Sequence, residues 1–465
     1  MTSLPLGFVV ELDRYTRAVD GGRTLVGGFP TRLIRLTARA RRLFDADGRT
    51  LAVTGRASAL LADRLLERGM ANPVVGTLPE PSDPRYTVVV PVRDRPRQLD
   101  RLLGSVGPGH PVIVVDDASR DRSAVAAVAA RHGARLVSLP VNLGPAGARN
   151  AGLRRVTTPY VVFADSDIVL APDTVPTLLR HFADPRVAMA VPRITGLPTA
   201  AATNWIGRYE SARSSLDLGA HPAAVRPGSP VSWASTACTV ARTDVLRDGF
   251  DERMRVGEDV DLCWRLLEQG LRVRYEPAVE AAHEHRVHVG DWLLRKAVYG
   301  TGAGPLAQRH PEFIAPAVFA PWSLALVTGL LAQRRWSAPA AGILLGGVTL
   351  RIARRLDGTR HPHRLAARLT ANGAVAALAQ TSALLTRHWW PLTAVGCLAS
   401  RRVRRAAAVA ALADIALEYR FDREGLDPVR YGLARRLDDL AYGTGVWLSA
   451  LKGRSLTALR PRIVR

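Results

Sequence analysis

Between residues 85 and 180, four short apolar runs alternate with four stretches of helical character, and this alternation constrains the fold more than any other feature of the chain. "YTVVVPV" is followed by "RQLDRLLGSV", "PVIVVDD" by "DRSAVAAVAARHG", "RLVSLP" by "AGARNAGLRRV", and "YVVFADSD" by "APDTVPTLLRHF". A β-α rhythm of this kind predicts an α/β domain with a mostly parallel sheet covered by helices. Open α/β sheets hold their ligands outside the carboxyl ends of the strands. The polar residues that follow each run are therefore the candidate site.

The first strand leads through "VVVPVRDRP", where Pro91 and Asp94 open a loop at the edge of the sheet. The second ends in "VIVVDDASRD". A carboxylate there, Asp117, can accept a hydrogen bond from a nucleobase N–H, while an Asp or Ser at the same point can equally cap a helix. In "NLGPAGARNAG", Gly144 and Gly147 let backbone approach a ligand, and Arg149 can carry charge towards a base or a diphosphate. "VFADSD" sets Asp165 and Asp167 two residues apart at a strand end. Alternation points both to one side, and two such carboxylates repel unless a cation compensates. A hard divalent ion, Mg²⁺ or Mn²⁺, which bridges carboxylate to phosphate, fits that place. Further on, Val260, Leu262, Cys263, Leu266 and Leu267 have helical spacing, so Glu258 and Asp259 begin a helix. They either cap it or supply a general base, and a helix N-terminus is expected to lower the Asp259 pKa. In "AAHEHRVH", His283 or His285 is a further ligand for the cation, with His283 preferred, and His288 reads as a surface residue.

As an ordered set, "VVVPVRD", "VVDDAS", "NLGPAGARNAG", "ADSD", "GEDVDLCWR" and "HEHR" resemble the family 2 glycosyltransferases, over roughly residues 85–290. The resemblance implies a GT-A, Rossmann-like sheet flanked by helices and an inverting transferase that uses a nucleotide-diphosphate sugar, usually UDP-linked. It further implies that Pro91, Asp94, Asp117, Arg149 and Asp165 bind the nucleotide sugar, with Asp117 and Arg149 at uracil and Asp165 at ribose. Asp167 and His283 would hold Mg²⁺ or Mn²⁺, Asp259 beside Glu258 would be the base, and Trp233 and Trp264 would stand on the acceptor side. A narrower resemblance, carried by "LPLGFVVELD", "LLERGMANP" and "RKAVYGTGAGPLAQRHP", is to the glycosyltransferases of mycofactocin maturation. It implies glucose from UDP-glucose as the donor and a peptide-derived mycofactocin precursor as the acceptor, built up as an oligosaccharide. Transfer to a lipid or cell-wall polysaccharide, and a non-catalytic peptide or membrane scaffold, are the alternatives.

The flanks differ in character. Residues 1–80 read as a small α+β module, which the narrower resemblance likens to winged-helix, peptide-binding domains. "GTLPEPSDPRY" then marks a boundary by its prolines. Residues 85–310 form the transferase domain. From 311 to 465 the chain is apolar and helical, and "FIAPAVFAPWSLALVTGLLA" is about long enough to cross a bilayer. The formal charge is +23, with lysine only at Lys296 and Lys452 among 64 basic residues. That excess favours polyanions; without an RNA-binding or zinc-finger signature, nucleic acid is not the expected partner. Arginine clusters between the apolar segments point instead to an anionic membrane surface. The three cysteines are too few and too scattered for a disulfide framework, and no basic leader precedes an apolar core. The expected location is the cytoplasm, at the inner face of the membrane. A dinucleotide-dependent dehydrogenase is excluded by the absence of G-x-G-x-x-G after the first strand.

Overall fold

A computed structural model describes residues 3–356, 358–419 and 425–464. The chain forms two compact units, Met1–Ala200 with Arg213–His285, and Ala201–Ala212 with Arg286–Arg465.

The first unit is organised by a nine-stranded sheet. Its strands are β1 (Tyr86–Val92), β2 (Val112–Asp116), β3 (Arg135–Ser138), β4 (Tyr160–Ala164), β5 (Ile168–Leu170), β6 (Val187–Gly196), β7 (Cys238–Arg242) and β8 (Arg272–His283), with the short Ala223–Ala224 alongside β8. The order is β5-β8-β6-β7-β4-β1-β2-β3. From β4 to β3 every neighbouring pair is parallel. β7 then runs antiparallel to both β4 and β6, so the expected parallel sheet is realised in one half and the other half is mixed. β1 is buried along almost its whole length, including Val88, Val89 and Val90, as a strand covered on both faces must be.

The connections fix where a ligand can sit. From β1 the chain moves outward to β2 and β3, through α1 (Pro96–Val106) and α2 (Arg122–Arg131), then returns through α3 (Gly144–Leu153) to place β4 on the other side of β1. The reversal between β1 and β4 is a topological switch point, where the loops diverge and leave a crevice. α3 lies close enough to the sheet that a side-chain carbon at Gly152 would collide with Val89 and press on Val115 at 3.2 Å.

Residues 3–78 of the same unit form two three-stranded antiparallel sheets and the helix Arg56–Glu67, around Phe8, Leu51, Leu65 and Met70. Arg272 joins this helix to the large sheet, with Nη2 2.6 Å from Asp63 and Nη1 2.7 Å from Asp184. Behind it lies Arg274, 1% exposed. None of its three nitrogens has a hydrogen-bond partner among the described residues, and burial together with Arg272 pushes its pKa down to about 10. An unpaired buried cation opposes folding. Arg274→Met is expected to raise stability by about 1–3 kcal/mol, read as a higher midpoint in thermal unfolding.

The second unit is helical. α5 (Val289–Thr301) and α10 (Pro428–Lys452) pack with the helix Trp205–Arg213 through a buried polar network, Lys296 to Glu210 at 2.8 Å and Tyr209 to Asp438 at 3.1 Å. The apolar run after residue 312 is not one spanning helix. Val318–Phe319 pairs as a strand with Arg462–Ile463, and a helix of only 11 residues starts at Pro321. Proline lacks the N–H that a continuous helix needs and fits the first turn instead. Among the described residues no helix is long and apolar enough to cross a membrane.

Candidate active site

The carboxyl ends of β1, β2 and β4 carry interlocked loops. Pro91 belongs to β1 and stands opposite Val115 of β2. Asp94 follows with φ at +57°; its N–H donates to Ser119 Oγ at 2.9 Å, and its carboxylate accepts from the Arg120 N–H at 2.7 Å. Asp117 is buried, and its two oxygens accept from the N–H groups of Leu143 (2.6 Å) and Gly144 (2.9 Å). A carboxylate has about four lone-pair positions, so Asp117 braces the loop before α3 and keeps capacity for a further donor. Gly144 is needed for its φ of +79°. A side chain at Gly147 would collide with Leu143. Both glycines therefore serve the turn into α3.

Asp165–Asp167 is a turn between β4 and β5, not the end of a regular strand, and is closed by the Ile168 N–H donating to the Asp165 carbonyl at 3.0 Å. The two carboxylates go to different cations. Asp165 accepts from Arg149 at 2.6 Å, while Asp167 is paired with Arg95 and lies 3.6 Å from His283 Nε2. Burial works to raise the Asp167 pKa, but His283 and Arg95 outweigh it and hold the carboxyl well below the usual range. His283 reaches this position because it stands opposite Ile168 in the β5–β8 ladder. Its Nδ1 is buried without a partner among the described residues. His285 is buried beside it, rings 5.7 Å apart. His288 is exposed and belongs to the second unit.

Arg149, expected to carry charge towards a base or a diphosphate, is 3% exposed, bridges Asp165 and Glu258 (2.8 Å) and lies over the Phe250 ring. Glu258 opens helix α4 (Glu258–Glu268), which starts after Gly257 in the left-handed conformation. Glu258 is thus buried and paired, while the neighbouring Asp259 is half-buried and accepts a hydrogen bond from the Val260 N–H at 2.8 Å. Its pKa is pushed up to about 7, by burial first and then by the Glu258 charge, against the pull of Arg149. The helix N-terminus was expected to lower this value; in the folded protein desolvation and a like charge override it.

Two positioning residues escaped the sequence reading. Arg95 lies 72 residues from Asp167 in the chain, and nothing local in "VRDRPRQ" announces the pairing. Asn150 anchors the segment that leads to α4, accepting from the Phe250 N–H and donating to the Phe250 carbonyl, both at 2.8 Å. Its place directly after Arg149 was the available signal. Trp233 is half-buried in an irregular loop. Trp264, expected beside it on an acceptor wall, is 4% exposed and donates from Nε1 to the Ser232 carbonyl at 2.9 Å. It supports the loop from beneath.

The donors present suit a divalent ion held mainly by its substrate. Asp167 offers oxygen and His283 nitrogen side by side, and Mg²⁺ commonly takes one or two protein ligands and completes its shell with phosphates and water. No set of three or more His, Cys, Asp or Glu among the described residues forms an all-protein cage.

The family model described as "Glycosyl transferase family 2" matches residues 87–223, and "Glycosyl transferase family group 2" matches residues 160–353. The chain is 41% identical over 478 residues to the pre-mycofactocin glycosyltransferase of Mycobacterium tuberculosis, covering 99% of each. It is 28% identical over 232 residues to an N-acetylglucosaminyltransferase of Mesorhizobium japonicum, covering 46% of this chain and 54% of that one. Among solved structures, a mannosyltransferase from Pyrobaculum calidifontis in complex with GDP-Man and Mn²⁺ aligns at 22% identity and a TM-score of 0.37, over 64% of this chain and 88% of that one.

Proposed function

Because the chain belongs to glycosyltransferase family 2, with the GT-A fold and a full-length relative in the pre-mycofactocin glycosyltransferase, we propose that it transfers a hexose, glucose from UDP-glucose, to a mycofactocin precursor with inversion at the anomeric carbon. The observation that carries the chemistry is the convergence of acids from distant segments, Asp165 and Glu258 on the two arms of Arg149, with Asp259 next to Glu258.

In this reading Asp117 accepts from the uracil N3–H with its remaining lone pairs, and Asp94 shapes the adjoining loop. Asp165, one-third exposed and using one oxygen for Arg149, meets the ribose. Asp167 and His283 would hold Mg²⁺ or Mn²⁺, whose charge would offset that of the diphosphate. Asp259 takes the proton from the acceptor hydroxyl as that oxygen bonds to the anomeric carbon. The bond from that carbon to the diphosphate oxygen breaks, and UDP leaves from the opposite face. A pKa near the working pH suits a general base, which must be ionised before the step and basic enough to accept a proton. Arg149 is a positioning residue, holding Glu258 and Asp165 apart and in place. The acceptor assignment is supported by the name and full-length coverage of the relative.

The test is UDP release from UDP-glucose with Mn²⁺ or Mg²⁺ and a late mycofactocin intermediate, followed by mass spectrometry of the acceptor. Hexose mass increments are expected. UDP release with an unmodified acceptor keeps the transferase and rejects this acceptor. Absence of release with any sugar nucleotide rejects the chemistry.

A further inference from the structure

Several helices of the second unit reverse the usual amphipathic order. In α9 (Arg401–Tyr419 in the chain) — numbered after α6 (Ser337–Arg355), α7 (Pro362–Ala383) and α8 (Trp390–Ala399) — the exposed stripe begins with Arg401, Arg402, Arg404 and Arg405. It continues through Val409, Leu412 and Leu417 with only alanines between. The aspartate of this helix, Asp414, is turned inward onto Arg435 at 3.0 Å and onto Arg436. α8 buries none of its residues, and its exposed positions are all apolar, Leu398 reaching 85%. α6 exposes Ile343 and Leu350 and then Arg351, Arg354 and Arg355; α7 exposes Arg364 and Arg368 and then Val375 and Leu378.

A soluble helix puts its apolar stripe inward and its charges outward. Here the outward stripes are largely apolar, and those of α6, α7 and α9 carry arginines at one end. Residues 331–417 carry thirteen arginines and two aspartates, a net +11 out of the chain's +23. Contiguous exposed apolar surface marks an interaction site. A second copy of the chain would bring the same positive excess and be repelled, and a nucleic acid gives valine and leucine nothing to bury against. An anionic lipid surface satisfies both halves of the pattern, acyl chains for the apolar stripes and head groups for the arginines.

We propose that α6, α7, α8 and α9 form an in-plane docking face for an anionic bilayer, a face that lies on the surface without spanning it. This is independent of the donor and acceptor assigned above. The test uses the full-length protein in flotation with phosphatidylcholine vesicles, with and without about one-third phosphatidylglycerol. It should float with the anionic vesicles, less so at high salt, and stay behind with the neutral ones. Val409→Asp/Leu412→Asp, and separately the quadruple change of Arg401, Arg402, Arg404 and Arg405 to Gln, should each reduce the bound fraction about tenfold or more. Both sets are exposed, so melting temperature and UDP-glucose turnover should not change. Equal flotation with neutral vesicles, or wild-type flotation by both variants, overturns the proposal. So does a lipid-free dimer, measured by light scattering, that the Asp variant dissociates, since that assigns the face to a second copy.

Discussion

Asp259→Asn is expected to reduce hexose transfer by about 10²–10⁴-fold, the range a positioned general base contributes, while UDP affinity in the presence of metal stays within about twofold. Asparagine keeps the shape of the side chain and can still accept from the Val260 N–H, but it cannot take the acceptor proton. The measurement is kcat with saturating donor, alongside UDP binding by calorimetry. Equal loss of UDP affinity would place Asp259 in the donor site. The pH profile is the sharper test. With a pKa near 7, the base form is present above that value, so kcat/KM should fall as pH drops through about 7. Glu258 supplies the like charge that helps to raise this pKa, so Glu258→Gln should move the acid limb to lower pH. Asp259 also carries a stability effect. A carboxyl whose folded pKa lies above its ordinary value of 3.8 favours the fold when protonated. That contribution is present at low pH and is lost between about 4 and 7 as ionisation becomes possible. Asp259→Asn removes the titration, so the variant should be more stable than wild type above pH 7 and differ little near pH 4.

Asp167→Ala is the second large effect, an expected loss of at least about 100-fold in metal-dependent turnover. Unlike the Asp259 change, it should weaken UDP binding in the presence of Mn²⁺ and leave the metal-free affinity nearly unchanged. Mn²⁺ binding followed by electron paramagnetic resonance gives a readout that does not depend on catalysis. The variant also leaves Arg95 and His283 facing one another without their carboxylate. Undiminished Mn²⁺ affinity in Asp167→Ala would remove this carboxylate from the metal site. Asp165 is expected to behave differently, because its loss frees one arm of Arg149 and disturbs Glu258 and Asp259 as well as the donor.

Much of this was legible in order along the chain. Runs such as "YTVVVPV" and "PVIVVDD" specify buried strands through local periodicity, and the rule that α/β sheets bind at strand carboxyl ends turned the next polar residues into candidates. Asp94, Asp117, Asp165 and Asp167 became candidates this way. The helix start at Glu258 followed from the 3.6-residue spacing beyond it. The apolar run around Pro321 misled because hydropathy averages over prolines that the backbone cannot ignore. Val318 and Phe319 find their hydrogen bonds with Arg462 and Ile463, more than a hundred residues away.

By itself, then, the sequence determined the strand-helix order and which carboxylates follow the strands, because these depend on neighbours a few residues apart. Only the tertiary structure decided their partners and their charge. Arg149 goes to Glu258 across 109 residues and Arg95 to Asp167 across 72. Asp259 is raised to about 7, although the local helix terminus argues for the reverse. Ion pairing and desolvation depend on distance and burial in space, and neither is written in the spacing of residues along the chain.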